Sequence, residues 1–136
     1  MAKDRFHDSV RIALEKDGWY ITADPYEISV GDVDFEIDLA AEQLLAAERQ
    51  GQKIAVEIKS FTSPSNVSDF HVALGQFLNY RDALATVDPE RLLYLAIRSP
   101  IYESFFRRRF ISEAVARYQL RLMVYDVIEE VIVQWM

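Results

Sequence analysis

Two segments of this chain alternate apolar and charged residues with a period of two, and that period constrains the fold more than any other feature. In Val33-Asp34-Phe35-Glu36-Ile37-Asp38-Leu39, the residues Val33, Phe35, Ile37 and Leu39 fall on one side of an extended strand, and Asp34, Glu36 and Asp38 on the other. In Ile54-Ala55-Val56-Glu57-Ile58-Lys59, Ile54, Val56 and Ile58 share one face, and Ala55, Glu57 and Lys59 share the opposite one. A helix, with its period of 3.6, would scatter both sets around its axis. Each segment therefore reads as a strand with one face in a core.

The remaining elements are read around these two. Lys3 to Asp17 predicts a helix, with Phe6, Val10, Ala13 and Leu14 at helical spacing and Gly18 as its stop. Trp19 to Thr22 is a short β-prone run, and Asp24-Pro25 marks a turn. Ala40 to Arg49 is rich in Ala and Glu, as a helix would be. Gln50-Gly51-Gln52 reads as a hairpin turn, and this favours a strand or irregular edge leading into it. Ser63 to Asn66 is a loop, and Ser68 or Asn66 is the expected cap of a helix over Ser68 to Ala85 with Phe70, Ala73, Leu74 and Phe77 on its apolar face. Leu92 to Ile97 predicts a buried strand, Ser104 to Tyr118 a helix with Arg107, Arg108 and Arg109 in its first turns, and Leu120 to Tyr125 and Glu130 to Trp135 the last strands. This order predicts an α/β fold, a mixed central sheet flanked by helices on both faces.

At 136 residues the chain fits a single domain over 1–136. It lacks cysteine, which excludes disulfides and thiolate metal sites. No apolar run reaches a membrane span, and the first ten residues contain acids and no apolar signal core, so a cytoplasmic protein with no membrane partner is expected. The formal charge of −7 argues against strong non-specific binding to nucleic acid, yet it does not exclude a nuclease, because a metal site itself gathers carboxylates.

Asp38, Glu57 and Lys59 are the residues that point to chemistry. Glu57 and Lys59 are two apart and leave one face of their strand; if the Asp38 strand pairs beside it, two carboxylates and an ammonium converge. Two carboxylates suit a hard cation such as Mg²⁺ or Mn²⁺, which takes oxygen ligands and keeps waters. An amphipathic hairpin with a solvated charged face has the same pattern, so the residues alone leave both readings open. His7 and His71 lack the spacing of paired metal ligands and read as ordinary histidines. Arg107 to Arg109 reads as a solvated or partner-facing stretch that can also meet phosphates.

Asp38 with Glu57-Ile58-Lys59 resembles the PD-(D/E)XK nuclease signature. Over nearly the whole chain the sequence is more similar to the XisH-like family, the fdxN-element excision controlling factors of cyanobacteria. The segments that carry this are Ala2-Lys3-Asp4-Arg5-Phe6-His7, Val33 to Leu39, Ile54 to Phe61 and Gly75-Gln76-Phe77-Leu78-Asn79-Tyr80-Arg81. The resemblance implies a restriction-endonuclease-like fold and a role in controlling programmed excision of a DNA element by a site-specific recombinase. It implies DNA as the substrate and a XisI-like protein as partner, and leaves self-association as a homo-oligomer open. It implies Asp38, Glu57 and the Ile58 carbonyl as ligands of Mg²⁺ or Mn²⁺ and Lys59 as the residue serving the attacking water. Gln76 and Tyr80 match a Gln-x-x-x-Tyr pattern of some such nucleases, and Asp8 is the candidate for an acid on the first helix. Ile37 stands where the signature has proline. A catalytically silent regulatory subunit that binds a XisI-like partner is the alternative.

Overall fold

The computed structural model describes residues 6–35 and 44–136. The first helix, α1 (His7–Lys16), buries Val10, Ala13 and Leu14 along one stripe, and the chain leaves it through Gly18 in the left-handed region at φ 89°. β1 (Tyr20–Ala23) follows, then β2 (Ile28–Val30) and β3 (Val33–Phe35), which pair antiparallel as a two-stranded sheet of their own. β4 (Leu44–Arg49) and β5 (Gln52–Ile58) form a hairpin whose turn residues, Gln50 and Gly51, both have positive φ, the geometry that matches strand twist in a two-residue loop. α2 spans Asn66–Val87, β6 Arg91–Arg98, β7 Leu122–Asp126 and β8 Val131–Trp135. Between β6 and β7 lie a short helix α3 (Ser99–Ile101), a π-helical turn (Tyr102–Phe106) and α4 (Arg109–Arg117).

Among the described residues, six strands form the main sheet in the order β1-β4-β5-β6-β7-β8. The pairs β5/β6 and β6/β7 are parallel, and the pairs at either side are antiparallel. Parallel neighbours need crossover connections, and α2 and the α3–α4 segment supply them. On one face, Phe70, Phe77, Tyr80 and Leu84 of α2 and Ile111 and Ala114 of α4 pack on Ala55, Leu93, Leu95, Ile97, Leu122 and Val124. On the other face, Val10 and Leu14 of α1 pack with Leu45, Ile54, Val56, Ile58, Met123 and Tyr125. Each large side chain removed from water in this way contributes about 1.5–3 kcal/mol. This is the mixed sheet with helices on both faces that the periodicities predict.

Several local expectations need correction. The strand read over Val33 to Leu39 pairs, in its described part, with β2, and β2 itself went unread. The ladder neighbours of Glu57 are Leu44 of β4 and Leu95 of β6. The helix expected over Ser104 to Tyr118 is broken. Phe105 and Phe106 are consecutive and both buried, and the wide π turn delivers both to one core before Arg108 becomes extended and restarts the helix as α4. The cap of α2 is Ser65, whose side chain accepts a hydrogen bond from the Ser68 amide at 3.1 Å, and not Ser68 or Asn66. Leu92 at the start of β6 is 42% exposed, and the buried leucines of the strand are Leu93 and Leu95.

Candidate functional site

Three of the predicted site residues meet where β5 ends. Strand alternation sends Ile54, Val56 and Ile58 toward α1, so Glu57 emerges on the α2 face. Past the end of β5 the Lys59 amide still donates to the Ala96 carbonyl at 3.4 Å, which extends the parallel ladder and keeps Lys59 in alternation with Glu57. Both side chains are closed from solvent, at 1% exposure for Glu57 and 3% for Lys59. The Lys59 Nζ lies 3.8 Å from a Glu57 carboxylate oxygen and donates a hydrogen bond to the Gln76 side-chain oxygen. Gln76 is on α2, so one helix and one strand end hold the ammonium between them.

The chain beyond Lys59 is held firmly. Arg98, at the end of β6, donates from Nε and Nη2 to the Ser60 carbonyl at 3.2 and 2.8 Å, and its guanidinium stacks over the Phe6 ring. Phe61 adopts φ 53°, a left-handed conformation that costs a bulky residue about 1–3 kcal/mol. Its ring packs against Phe105 and Phe106, with centroids 6.1 and 5.4 Å away, and this burial offsets the strain. The result is a sharp reversal directly after Lys59. A cavity of about 180 Å³ opens there, lined by Lys59, Ser60, Thr62, Ser63, Asp69 and Val72. Asp69, in the first turn of α2, accepts from the Ser63 hydroxyl at 2.8 Å and its amide at 3.3 Å, which fixes the loop wall of the cavity.

An ion pair this buried is a poor source of stability, since removing both charges from water costs several kcal/mol and an apolar pair of similar volume would usually do as well or better. Buried charges of this kind cluster at functional sites. The donor chemistry suits a hard cation: Glu57 presents carboxylate oxygens and Ile58 a backbone carbonyl, both oxygen ligands. Among the described residues no three carboxylate or imidazole groups converge on one point. Asp38, the expected second carboxylate, lies outside the described residues.

The other candidates are placed as follows. Tyr80, one turn beyond Gln76, is buried in the apolar layer between α2 and the sheet. Asp8 is on α1, across the sheet from Glu57; its side chain is 83% exposed and its carboxylate lies 3.3 Å from His7 Nδ1. His7 is buried, and its Nε2 lies 2.8 Å from Asp24, which also accepts from Arg11 at 2.5 Å. His7 is therefore a satisfied histidine, as its spacing suggested, with Asp24 as the partner that the sequence did not disclose. Arg98, whose bonds position Ser60 and hence Lys59, was also missed. It ends a buried strand, and nothing in the local pattern separates it from any solvated arginine.

Among the described residues no helix is long and apolar enough to cross a membrane. A family profile described as XisH protein matches residues 1–133. The crystal structure of an XisH family protein from Nostoc punctiforme PCC 73102 is similar at 53% identity and a TM-score of 0.91, covering 98% of this chain and 99% of that one. The crystal structure of an fdxN element excision controlling factor protein from Anabaena variabilis is similar at 53% identity and a TM-score of 0.88, covering 96% of each chain. A search of curated proteins gives no match. With a profile match along almost its entire length and half of its residues shared with these structures, the chain belongs to the XisH family.

Proposed function

We propose that this protein is a controlling factor for programmed excision of a DNA element by a site-specific recombinase, and that it carries a PD-(D/E)XK-type site acting on DNA phosphodiesters. The excision role is that of the Anabaena variabilis relative, and the 53% identity along nearly the whole chain supports extending it here. The observation that carries the site reading is the buried pair of Glu57 and Lys59, held by the half-buried Gln76, beside an open cavity. Glu57 and the Ile58 carbonyl, with Asp38, would hold Mg²⁺ or Mn²⁺. Such a cation, when bound, polarises a phosphoryl oxygen and makes its water acidic. Gln76 fixes the direction of the Lys59 ammonium, and that ammonium supplies positive charge for a phosphate or its attacking water without having to reorganise.

A second reading, a silent regulatory subunit that binds a XisI-like protein, is favoured by the net charge of −7 and by the near-complete enclosure of Lys59. Cleavage assays separate the two. Wild type and Lys59→Met are incubated with linear, nicked, supercoiled and branched DNA and with Mg²⁺ or Mn²⁺, with and without the partner. Cleavage by wild type that Lys59→Met abolishes, with DNA binding kept, is the expected result. No cleavage under any condition, together with an excision assay in cells that Lys59→Met leaves intact, would reject the catalytic site in favour of the regulatory reading.

A further inference from the structure

We infer that the arginine-rich surface around the start of α4 is a docking surface for the phosphate backbone of duplex DNA. Around the start of α4 the four exposed arginines Arg107, Arg108, Arg109 and Arg117 meet only two acids, Glu103 and Glu113, for two net positive charges in a protein whose total is −7. The remainder is therefore strongly acidic, and a polyanion that is repelled elsewhere is steered to this face. Arg107, Arg108 and Arg109 are all exposed, with the Arg109 side chain at 91%. Arg107 and Arg109 pair with Glu103 at 2.7 Å and Glu113 at 3.1 Å, each four residues away on the surface. Exposed pairs of this kind contribute little to stability and exchange readily for phosphate oxygens. Phe110, 70% exposed, and Arg117 are seven residues apart on one line of α4, so an aromatic and a further cation extend the same surface.

The location ties this surface to Lys59. Phe105 and Phe106, in the turn just before Arg107, pack on Phe61 and Phe70, and Phe61 is two residues beyond Lys59. The Arg108 guanidinium lies 5.9 Å from the Phe105 ring. The turn that leads into the cations thus packs on the loop that follows Lys59, and Phe61 of that loop lines the cavity. π turns such as Tyr102–Phe106 occur frequently at functional sites. The choice of duplex DNA as the polyanion rests on the proposed function; the cationic surface itself does not.

The test is fluorescence anisotropy of a labelled duplex in EDTA, across a salt series, so that it reads binding whether or not the chain can cleave. Arg108→Gln/Arg109→Gln is compared with Lys16→Gln/Arg49→Gln, which removes the same charge elsewhere. Two lost phosphate contacts should lower the log–log salt slope by about 2 and weaken binding roughly tenfold at low salt, with the control pair close to wild type. Arg107→Gln/Arg117→Gln is the second variant, should the first melt below wild type by circular dichroism. Equal losses for the test and control pairs would overturn the inference. So would the absence of wild-type binding at the lowest salt, or loss of an acidic protein partner with DNA binding unchanged.

Discussion

Asp88, the residue that ends α2, accepts hydrogen bonds from Lys53 Nζ at 2.8 Å, Arg91 Nε at 2.7 Å and the Tyr26 hydroxyl at 3.2 Å. Arg91 is buried and also donates to the Ile54 carbonyl at 2.9 Å, so this cluster ties α2 to the starts of β5 and β6. Burial pushes the Asp88 carboxyl up, but the hydrogen bonds from Lys53 and Arg91 and their positive charges outweigh it and hold the pKa to about 2, below the ordinary 3.8. The unfolded chain therefore binds the proton first as pH falls, and the native state is stabilised at higher pH. That contribution is complete above about pH 4 and is lost as pH falls toward about 2. The urea midpoint of wild type should fall through this window. Asp88→Asn should be less stable at neutral pH and should show a flatter profile between the same limits. Equal acid sensitivity in both proteins would place the titrating group elsewhere. At this scale the sequence is legible only where a local period speaks. Alternation along β5 placed Glu57 and Lys59 on one face, and it could do so because Lys59 directly continues the strand. The Lys59–Gln76 bond joins residues 17 apart, and so does His7–Asp24; the first came from a family pattern and the second had no local signal at all.

At the scale of the element, helices and strands were read well in their middles and poorly at their ends. α2 shows why. Its apolar stripe, Phe70, Ala73 and Phe77, is periodic and unmistakable, but several residues before it can cap: Ser63, Ser65, Asn66 and Ser68. Ser65 wins because its backbone is extended and its hydroxyl meets the amide three residues on. Ser65→Ala should therefore destabilise the protein by about 1 kcal/mol, whereas Ser68→Ala, inside the first turn and exposed, should lie within about 0.5 kcal/mol of wild type. Chemical denaturation of the two variants checks this, and the reverse order would return the cap to Ser68. The break at Arg107–Arg108 was illegible for a different reason. Helix propensity is high across it, and the demand that both Phe105 and Phe106 reach one core is a tertiary one that propensity does not contain.

For the whole molecule, the layered architecture followed from the two periods, but the strand order did not. β1 pairs with β4 over the β2–β3 hairpin, a long-range choice that no local pattern specifies. What the order produces is a sheet whose strands serve two cores at once: along β5, Ala55 belongs to the α2 layer, and Ile54, Val56 and Ile58 to the α1 layer. Neither core can be lost without exposing the other's floor, which predicts cooperative unfolding. The two tryptophans of the chain make this testable, since Trp19 and Trp135 both lie on the α1 side, with ring centroids 5.8 Å apart and Tyr94 4.8 Å from Trp135. Leu84 is fully buried on α2, across the sheet from both. Leu84→Ala should cost about 2–5 kcal/mol. Because the loss is transmitted through the shared strands, tryptophan fluorescence and far-ultraviolet circular dichroism should show the same reduced denaturation midpoint. A fluorescence transition that stays at the wild-type midpoint while the circular dichroism transition moves would mean that the two layers open separately, as local units on a sheet that does not couple them.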